Sequence, residues 1–290
     1  MIIRETMEDY LARKAMSRSM AWDIVSECPR YAYLCSVFCP EDERAPRKQS
    51  EKMEFGTIAH LATLESDLLH ERVLIVSEKD WRTNRAKEMR DVAISEGKIA
   101  ILLKDFERVG RLRKALEADE EVGPLLFGRG ESEVTYTWEW GGIPCKARID
   151  RLAEDECGKI LVHLKTSESA NPRAFEHVGA RLGYAMTCAW YLDGWRMQST
   201  DAVFDTYRVV VVASQPPHLA TVCYYDVEDI ENGRTRYKQA LGEFRRARES
   251  GAWRGYGTAV GPQLLREPAW YRKQMWYRKQ MADLEGESHG

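Results

Sequence analysis

The residues with the clearest capacity for chemistry lie between positions 147 and 167, in the stretch ARIDRLAEDECGKILVHLKTS. Asp150 ends one apolar-patterned run, and His163 and Lys165 lie two positions apart in the next run. Hydrolysis of a phosphodiester uses a divalent cation held by oxygen ligands, and a nearby lysine can position or deprotonate the attacking water. Glu133, at the start of the run before Asp150, could add a carboxylate. The stretch therefore predicts a metal-dependent centre, although taken alone the same residues are also typical of an ordinary polar hairpin.

Three predicted strands must position these residues. SEVTYTWEW alternates apolar and polar side chains, a Gly-Gly pair supplies a turn, and IPCKARID returns as the second strand. KILVHLKT forms the third strand, with Ile160, Val162 and Leu164 on one face and His163 and Lys165 on the other. The alternation therefore predicts that both polar side chains point the same way, next to the end of the strand that carries Asp150.

The rest of the chain predicts an α+β fold, with a small mixed central sheet flanked by helices. A helical N-terminal part of about residues 1–125 precedes a sheet core of about 126–228 and a basic helical part of about 229–290. The apolar spacing of RAFEHVGARLGYAMTCAWYLDGW predicts one helix after the third strand. Because no Gly-, Ser- or Pro-rich linker divides the sequence, we expect a single domain over residues 1–290.

Composition narrows the class of protein. With 44% hydrophobic residues and nine Trp among 290 residues, the chain can bury a sizeable core. Its seven cysteines are odd in number and scattered without a CxxC pair, which indicates reduced thiols and disfavours a zinc or iron–sulfur site. No segment approaches the ~20 apolar residues that cross a membrane. We expect a cytoplasmic protein with no membrane contact.

Basic residues are concentrated near the end of the chain, although the net charge is only −3. Residues 234–281 contain twelve Lys or Arg against three acids. Such asymmetry is typical of a DNA-binding face, for which Arg245, Arg246 and Arg248 are the candidates, but it is equally typical of solvated amphipathic helices. The tandem repeat WYRKQM-WYRKQM at 270–281 could grip a DNA backbone or be a local duplication on a surface helix.

The chain resembles the RecE-type exonucleases of the PD-(D/E)xK superfamily, which are related to the RecB nuclease domain and lambda exonuclease. The resemblance spans nearly the whole sequence. Its motifs are, in order, SRSMAWDIVSECPRYAYL, FGTIAHLATLE, DWRTNRAKEMRD, ESEVTYTWEWGGIPCKARIDRL, LVHLKTS, GYAMTCAWYLDG, QPPHLATVCYYDVEDIENGRTRYKQAL and GAWRGYG. Each motif is weak by itself, and their order makes the resemblance specific.

The resemblance implies roles for individual residues. His60 in GTIAH matches a metal-binding histidine, and Asp150 matches the bridging metal carboxylate. Lys165 matches the lysine that orients the nucleophilic water. Tyr191 matches the tyrosine of a Q-x-x-x-Y helix motif beside the metal, where DNA is contacted, and Glu133 matches an accessory acid.

Two positions depart from the family pattern. His163 stands where the second metal carboxylate is expected, and Thr187 stands where the glutamine of Q-x-x-x-Y is expected. Thr187 and Tyr191 still share a helix face, so a role of both in DNA binding is retained as a prediction. The predicted metal ligands are then His60, Asp150 and His163. Two nitrogens and one carboxylate should hold Mg²⁺ weakly and favour Mn²⁺.

The resemblance also implies a function. We expect an exonuclease that degrades one strand of linear duplex DNA from its end, 5′ to 3′, and leaves 3′ single-stranded tails for phage-type recombination. Implied partners are double-stranded DNA ends and a RecT-like single-strand annealing protein, and a ring-shaped homo-oligomer is implied as well. The alternative is a catalytically impaired DNA-binding scaffold, because His163 replaces an acid. An iron–sulfur nuclease of the Cas4 or AddB kind is disfavoured, because no cysteine follows residue 223.

Overall fold

A computed structural model describes residues 2–46, 51–198, 206–257 and 265–287, with side chains described as far as residue 278. By its internal contacts the chain divides into two compact units, Met1–Trp253 and Arg254–Gly290. The first unit contains the sheet and the candidate centre. The second contains one helix, on which the WYRKQM repeat lies and whose described side chains are exposed. The single-domain organisation stays a prediction.

The first unit contains nine strands and eleven helices in its described residues. The strands are β1 Ile2–Ile3, β2 Met16–Ser17, β3 Val73–Val76, β4 Ile99–Leu102, β5 Gly130–Trp140, β6 Ile143–Asp155, β7 Gly158–Ser167, β8 Thr206–Ala213 and β9 Ala220–Cys223. The helices are α1 Met7–Ala12, α2 Arg18–Ser26, α3 Pro29–Leu34, α4 Glu51–Leu64, α5 Leu69–Arg72, α6 Asn84–Ser95, α7 Leu103–Ala118, α8 Val122–Phe127, α9 Pro172–Leu182, α10 Tyr184–Arg196 and α11 Val227–Ser250. The second unit contains α12, Ala269–Glu287.

The central sheet is mixed and runs in the order β1-β5-β6-β7-β8-β9, with the short β2 also paired to β6. The pairs β5–β6, β6–β7 and β8–β9 are antiparallel, whereas β7–β8 is parallel. The parallel pair is connected through α9 and α10, as parallel strands require a crossover. This confirms the predicted plan of a mixed sheet flanked by helices.

Strands β6 and β7 pair over only part of their length. Their ladder runs from Asp155 opposite Gly158 as far as Arg151 opposite Val162 and then ends. Beyond that point β7 pairs with β8, whereas β6 continues with β5 and β2. The two strands therefore separate where Asp150 and His163 lie, and a gap opens in the sheet at the predicted centre.

Each face of the sheet packs on its own layer of helices. On the first face, the α10 layer, side chains such as Leu161 pack against α2, α10 and α11. On the second face, the α4 layer, Val162 and Leu164 pack against α4, α7 and α8. The two sets alternate along β7, and Ile160, Val162 and Leu164 share one face, as predicted. His163 lies on the α10 layer, with its ring against Tyr191.

Two expectations about the elements were wrong. The N-terminal part is not purely helical, because it contains the two- to four-residue strands β1 to β4, which are too short to show a period of two. The helix predicted after β7 is two helices, since Gly183 adopts a left-handed conformation with φ of 67° and ends α9. The break is enforced by packing: a Cβ on Gly183 would lie 2.2 Å from the ring of Trp22.

Among the described residues, no helix combines the length and the apolar character needed to cross a lipid bilayer.

Candidate metal centre

Asp150 contacts three other side chains of the centre, those of His60, His163 and Lys165. It lies at the point where β6 leaves β7, and its carboxylate occupies the gap between the two strands. The backbone N–H of Leu164, which β6 no longer pairs, donates to Asp150 Oδ2 at 2.9 Å. Lys165 Nζ lies 3.3 Å from the same oxygen. The interrupted ladder thus supplies a backbone donor that fixes the orientation of the carboxylate.

His60 joins Asp150 to Glu133. It projects from α4, whose apolar residues pack on the second face of the sheet. Its Nε2 lies 3.0 Å from Asp150 Oδ2, and its Nδ1 lies 3.3 Å from Glu133 Oε1. One imidazole therefore lies between two carboxylates contributed by neighbouring strands.

The charges of these groups are set by burial and by their neighbours. Burial opposes the charged form of Asp150, but the charges of His163, Lys165 and His60 outweigh it and hold the pKa of Asp150 well below its usual range. Burial raises the pKa of Glu133, and nearby cationic groups offset this only in part. Burial lowers the tendency of His60 to protonate, yet the adjacent carboxylates of Asp150 and Glu133 raise its pKa overall. The pocket thus holds an anionic Asp150 beside Glu133 and His60, whose pKa values depend on the charges around them.

The residues fit a divalent cation. His60, Glu133 and Asp150 each offer a ligand atom, and these atoms all lie within 4.8 Å of one another. Glu133 Oε1 is buried and, apart from the approach of His60, has no hydrogen-bond partner among the described residues. Two carboxylate oxygens and one imidazole nitrogen suit Mg²⁺ or Mn²⁺.

His163 lies next to the centre but is almost fully enclosed. Its Nδ1 is 2.9 Å from Asp150 Oδ1, and its side chain is only 4% exposed. The ring packs edge-on against Tyr191 at 4.4 Å and is tilted against Tyr207 at 5.5 Å. Burial lowers the pKa of His163, and the adjacent Asp150 carboxylate offsets this only in part. It is not in the group of three side chains whose ligand atoms converge, so its predicted role as a ligand stays a prediction.

Thr187 and Tyr191 lie beneath the centre. Tyr191 is buried, and its hydroxyl donates to the carbonyl of Arg148 at 3.0 Å. Thr187 is also buried, and its hydroxyl donates to Gly183 in the previous turn. Tyr191 therefore contacts His163, which in turn contacts Asp150. The burial of both side chains disfavours the predicted contact with DNA.

The three arginines predicted to bind DNA lie far from the centre along the hairpin. Arg245, Arg246 and Arg248 are exposed on α11. Arg245 donates to the carbonyl of Gly141 at 2.7 Å, at the turn that joins β5 to β6. Glu133 lies eight positions before that turn on β5. At about 3.3 Å per residue the separation along the strand is roughly 25 Å.

A cleft of about 1320 Å³ opens above the centre and contains basic residues that sequence reasoning missed. Its lining includes His60, Glu133 and Lys165 together with Arg72 and Arg181. The side chains of both arginines are exposed. No ion pair within the described part of the chain involves them. The sequence contained a signal for Arg181, because this residue lies in the last turn of α9, the helix that follows the strand with Lys165.

Arg148 is a third residue that sequence reasoning missed. Its Nε donates to Glu133 Oε2 at 2.6 Å from within the same buried region. The signal was its position two residues before Asp150 on one strand, which places both side chains on the same face when alternation is regular.

Comparisons with known proteins agree with this geometry. Residues 35–259 match the model of a family described as a PDDEXK-like domain of unknown function, DUF3799. A candidate exonuclease from Eubacterium rectale, solved at 2.19 Å, has a similar fold, with a TM-score of 0.58, 12% sequence identity, and coverage of 92% of this chain and 96% of that one. A second structure, SSO0001, aligns with a TM-score of 0.27 and 18% identity over 67% of this chain and 88% of its own, too low to support an argument. No curated protein matches the chain. The chain belongs to the DUF3799 family of PDDEXK-like domains and has the fold of a PD-(D/E)xK nuclease, as its sequence motifs indicated.

Proposed function

We propose that the protein is a metal-dependent deoxyribonuclease that removes nucleotides from one strand at the ends of linear duplex DNA. The observation that carries the proposal is the position of Lys165, whose Nζ lies 3.3 Å from Asp150 in the cleft that also contains His60 and Glu133. A divalent cation held by such ligands can lower the pKa of the attacking water, and a lysine beside them can stabilise charge on the phosphate. The membership of a PDDEXK-like family supports nuclease chemistry.

Each side chain has a distinct task in this proposal. When bound, Mg²⁺ or Mn²⁺ supplies charge stabilisation at the phosphate and lowers the pKa of a water molecule. His60, Glu133 and Asp150 would hold the ion, and the Leu164 N–H keeps the Asp150 carboxylate directed into the cleft. Lys165 donates one N–H to Asp150 and retains two, with which it can orient the attacking water and stabilise negative charge that develops on the phosphate.

The finer features of the proposal rest on the resemblance to RecE-type enzymes. They are the preference for duplex ends, the 5′-to-3′ direction, the transfer of the 3′ tail to an annealing protein, and a ring-shaped oligomer. A cleft of about 1320 Å³ that contains the candidate ligands is large enough to admit a DNA strand.

We place the DNA path along the cleft, with Arg72 and Arg181 on its rim, and not across Arg245, Arg246 and Arg248. Both rim arginines are exposed and line the cleft that contains the candidate ligands. Among the described residues neither has an ion-pair partner, so their charges are available to phosphates.

A DNA-binding scaffold without catalysis is the second candidate. The observation that favours it is the buried imidazole of His163 at the place where the resemblance expects an acid. Against it stands the retention of His60, Asp150 and Lys165 in contact with one another.

The experiment that separates the two candidates uses linear and circular duplex DNA, each incubated with purified protein and Mg²⁺, Mn²⁺ or EDTA. We expect acid-soluble nucleotides from linear DNA with either metal and none with EDTA. DNA binding is measured in parallel in EDTA by fluorescence anisotropy. Intact binding without cleavage in both metals would refute the nuclease and favour the scaffold.

A further inference from the structure

Glu133 has an unusual backbone conformation for its residue type. Its φ is 56°, and Glu133 and His218 are the two non-glycine residues with positive φ in the described part of the chain. L-residues rarely adopt this region, and they remain there only when the surrounding contacts enforce it. Because Glu133 lies inside a long strand, the conformation changes where its side chain points.

Arg148 supplies the enforcing contacts. Its Nε donates to Glu133 Oε2 at 2.6 Å, and its Nη1 donates to the Glu5 carbonyl at 2.9 Å and to Thr135 Oγ1 at 3.2 Å. The side chains of Arg148 and Glu133 are 6% and 7% exposed, so solvent screens their interaction little. A charge-assisted bond of this kind also fixes geometry.

The result is a carboxylate with one oxygen held and one free. Arg148 occupies Oε2, while Oε1 is buried, is directed towards His60 Nδ1 at 3.3 Å and has no hydrogen-bond partner among the described residues. A buried carboxylate oxygen without a donor is costly unless a cation or a water occupies the position in front of it.

We propose that Glu133, held by Arg148, supplies the anionic metal ligand that position 163 lacks, and that Arg148 is a positioning residue for metal binding. His163 would then contact Asp150 from outside the ligand set, as its packing against Tyr191 indicates. The inference deepens the proposed function and rests on it, because it assigns the ligands of the ion that the nuclease would use. With Glu133 as a ligand, the site again contains two carboxylates, those of Asp150 and Glu133. It can therefore hold a divalent cation without an acid at position 163.

The competing interpretation is that Glu133 and Arg148 form a buried ion pair with a purely structural role. In that case their replacement lowers stability but leaves the metal affinity of the folded protein unchanged. The two interpretations therefore differ in metal affinity and not in melting temperature.

The test is isothermal titration of Mn²⁺ into folded parent and variants, with circular dichroism to establish folding. Glu133→Gln keeps the shape and an amide oxygen for Arg148, and we expect it to weaken Mn²⁺ binding by at least ~100-fold, whereas Arg148→Lys weakens it by ~10–100-fold as outer-shell changes do. Arg151→Lys is the matched control, because Arg151 lies on the same strand and bonds to Gly128 and Ser132, and it should bind Mn²⁺ like the parent.

A double variant sharpens the test. If Glu133 replaces the missing acid, His163→Asp in the Glu133→Gln background should restore Mn²⁺ binding to within ~10-fold of the parent, because the number of anionic ligands is the same again. Glu133→Gln carries the test alone if Arg148→Lys does not fold. Parent-like Mn²⁺ affinity in Glu133→Gln would overturn the inference, and so would a parent that binds no Mn²⁺. Binding that depends on Glu133 in a protein that cuts no DNA would support the inference and refute the nuclease.

Discussion

Replacing His163 with aspartate places a second carboxylate beside Asp150, and the structure allows the cost to be estimated. The imidazole Nδ1 lies 2.9 Å from Asp150 Oδ1, and the shorter aspartate side chain would bring its oxygens to about 4 Å. Two negative charges at about 4 Å repel by ~4 kcal/mol at an effective dielectric constant of about 20. In the absence of metal, His163→Asp should lower the free energy of unfolding by about this amount.

The matched control is His163→Asn, which has the same size and no charge. Both variants lose the ring contacts with Tyr191 and Tyr207, so the difference between them isolates the charge. Because ~1 kcal/mol shifts the melting temperature of a unit of this size by about 2–4 °C, we expect the aspartate variant to melt roughly 8–16 °C below the asparagine variant in EDTA.

Divalent metal should reverse the difference in melting temperature between His163→Asp and His163→Asn. A cation that both carboxylates contact removes the repulsion between them. Differential scanning calorimetry in EDTA, Mg²⁺ and Mn²⁺ measures this, and the metal-induced rise should be larger for His163→Asp than for His163→Asn or the parent. Mg²⁺-supported DNA cleavage should rise in His163→Asp by at least ~10-fold. Equal melting temperatures and equal metal responses of the two variants would show that position 163 faces neither the Asp150 charge nor the ion.

Three further predictions address the cleft, the helix break and the layer beneath the centre. Replacing Arg72 and Arg181 together with Gln should reduce the slope of log K against log salt for DNA binding by about 1.8, at ~0.9 per phosphate contact, whereas Arg248→Gln leaves the slope unchanged. If replacing both arginines leaves the slope unchanged, the DNA does not run along this cleft. Gly183→Ala should destabilise by about 2–5 kcal/mol in urea unfolding, because it adds a Cβ at positive φ and a clash with an indole ring; an unchanged midpoint would contradict the packing described for this break. Tyr191→Phe should cost about 1 kcal/mol through the lost bond to a buried carbonyl while DNA affinity in EDTA is retained. A large loss of DNA affinity in Tyr191→Phe would instead restore this tyrosine as a DNA contact.

The face of the sheet on which each side chain of β7 lies could be predicted from sequence, because alternation along a strand depends only on local geometry. The pattern that put His163 and Lys165 on one face holds in the structure, and both contact Asp150. The end of α9 could not be predicted in the same way. The apolar spacing continues through Gly183, and the break depends on its contact with Trp22, which is distant in sequence.

The three candidate ligands, His60, Glu133 and Asp150, could likewise be predicted only in part. His60 and Asp150 were identified through motifs, whereas the pairing of Glu133 with Arg148 depends on the register of the β5–β6 hairpin and on a positive φ that no residue pattern indicates. The DNA-binding role of the basic residues near the end of the chain stays a prediction, and their distance from the cleft could not be predicted from the sequence. Charge density along a sequence does not show how far a helix lies from the cleft, and α11 contacts the far end of the hairpin.

The most direct test of the nuclease is the single-turnover rate of phosphodiester cleavage in Lys165→Ala, measured with end-labelled linear duplex DNA and saturating Mn²⁺. Lys165 contacts Asp150 from β7, and its loss leaves the Leu164 N–H and His60 contacts of Asp150 in place. The control is Lys159→Ala, an exposed lysine at the other end of the same strand. We predict a fall in rate of ~10²–10⁴-fold for Lys165→Ala, with the fold and DNA affinity retained, and a parent-like rate for Lys159→Ala. Cleavage by Lys165→Ala at the parent rate would contradict the assignment of this cleft as the catalytic centre.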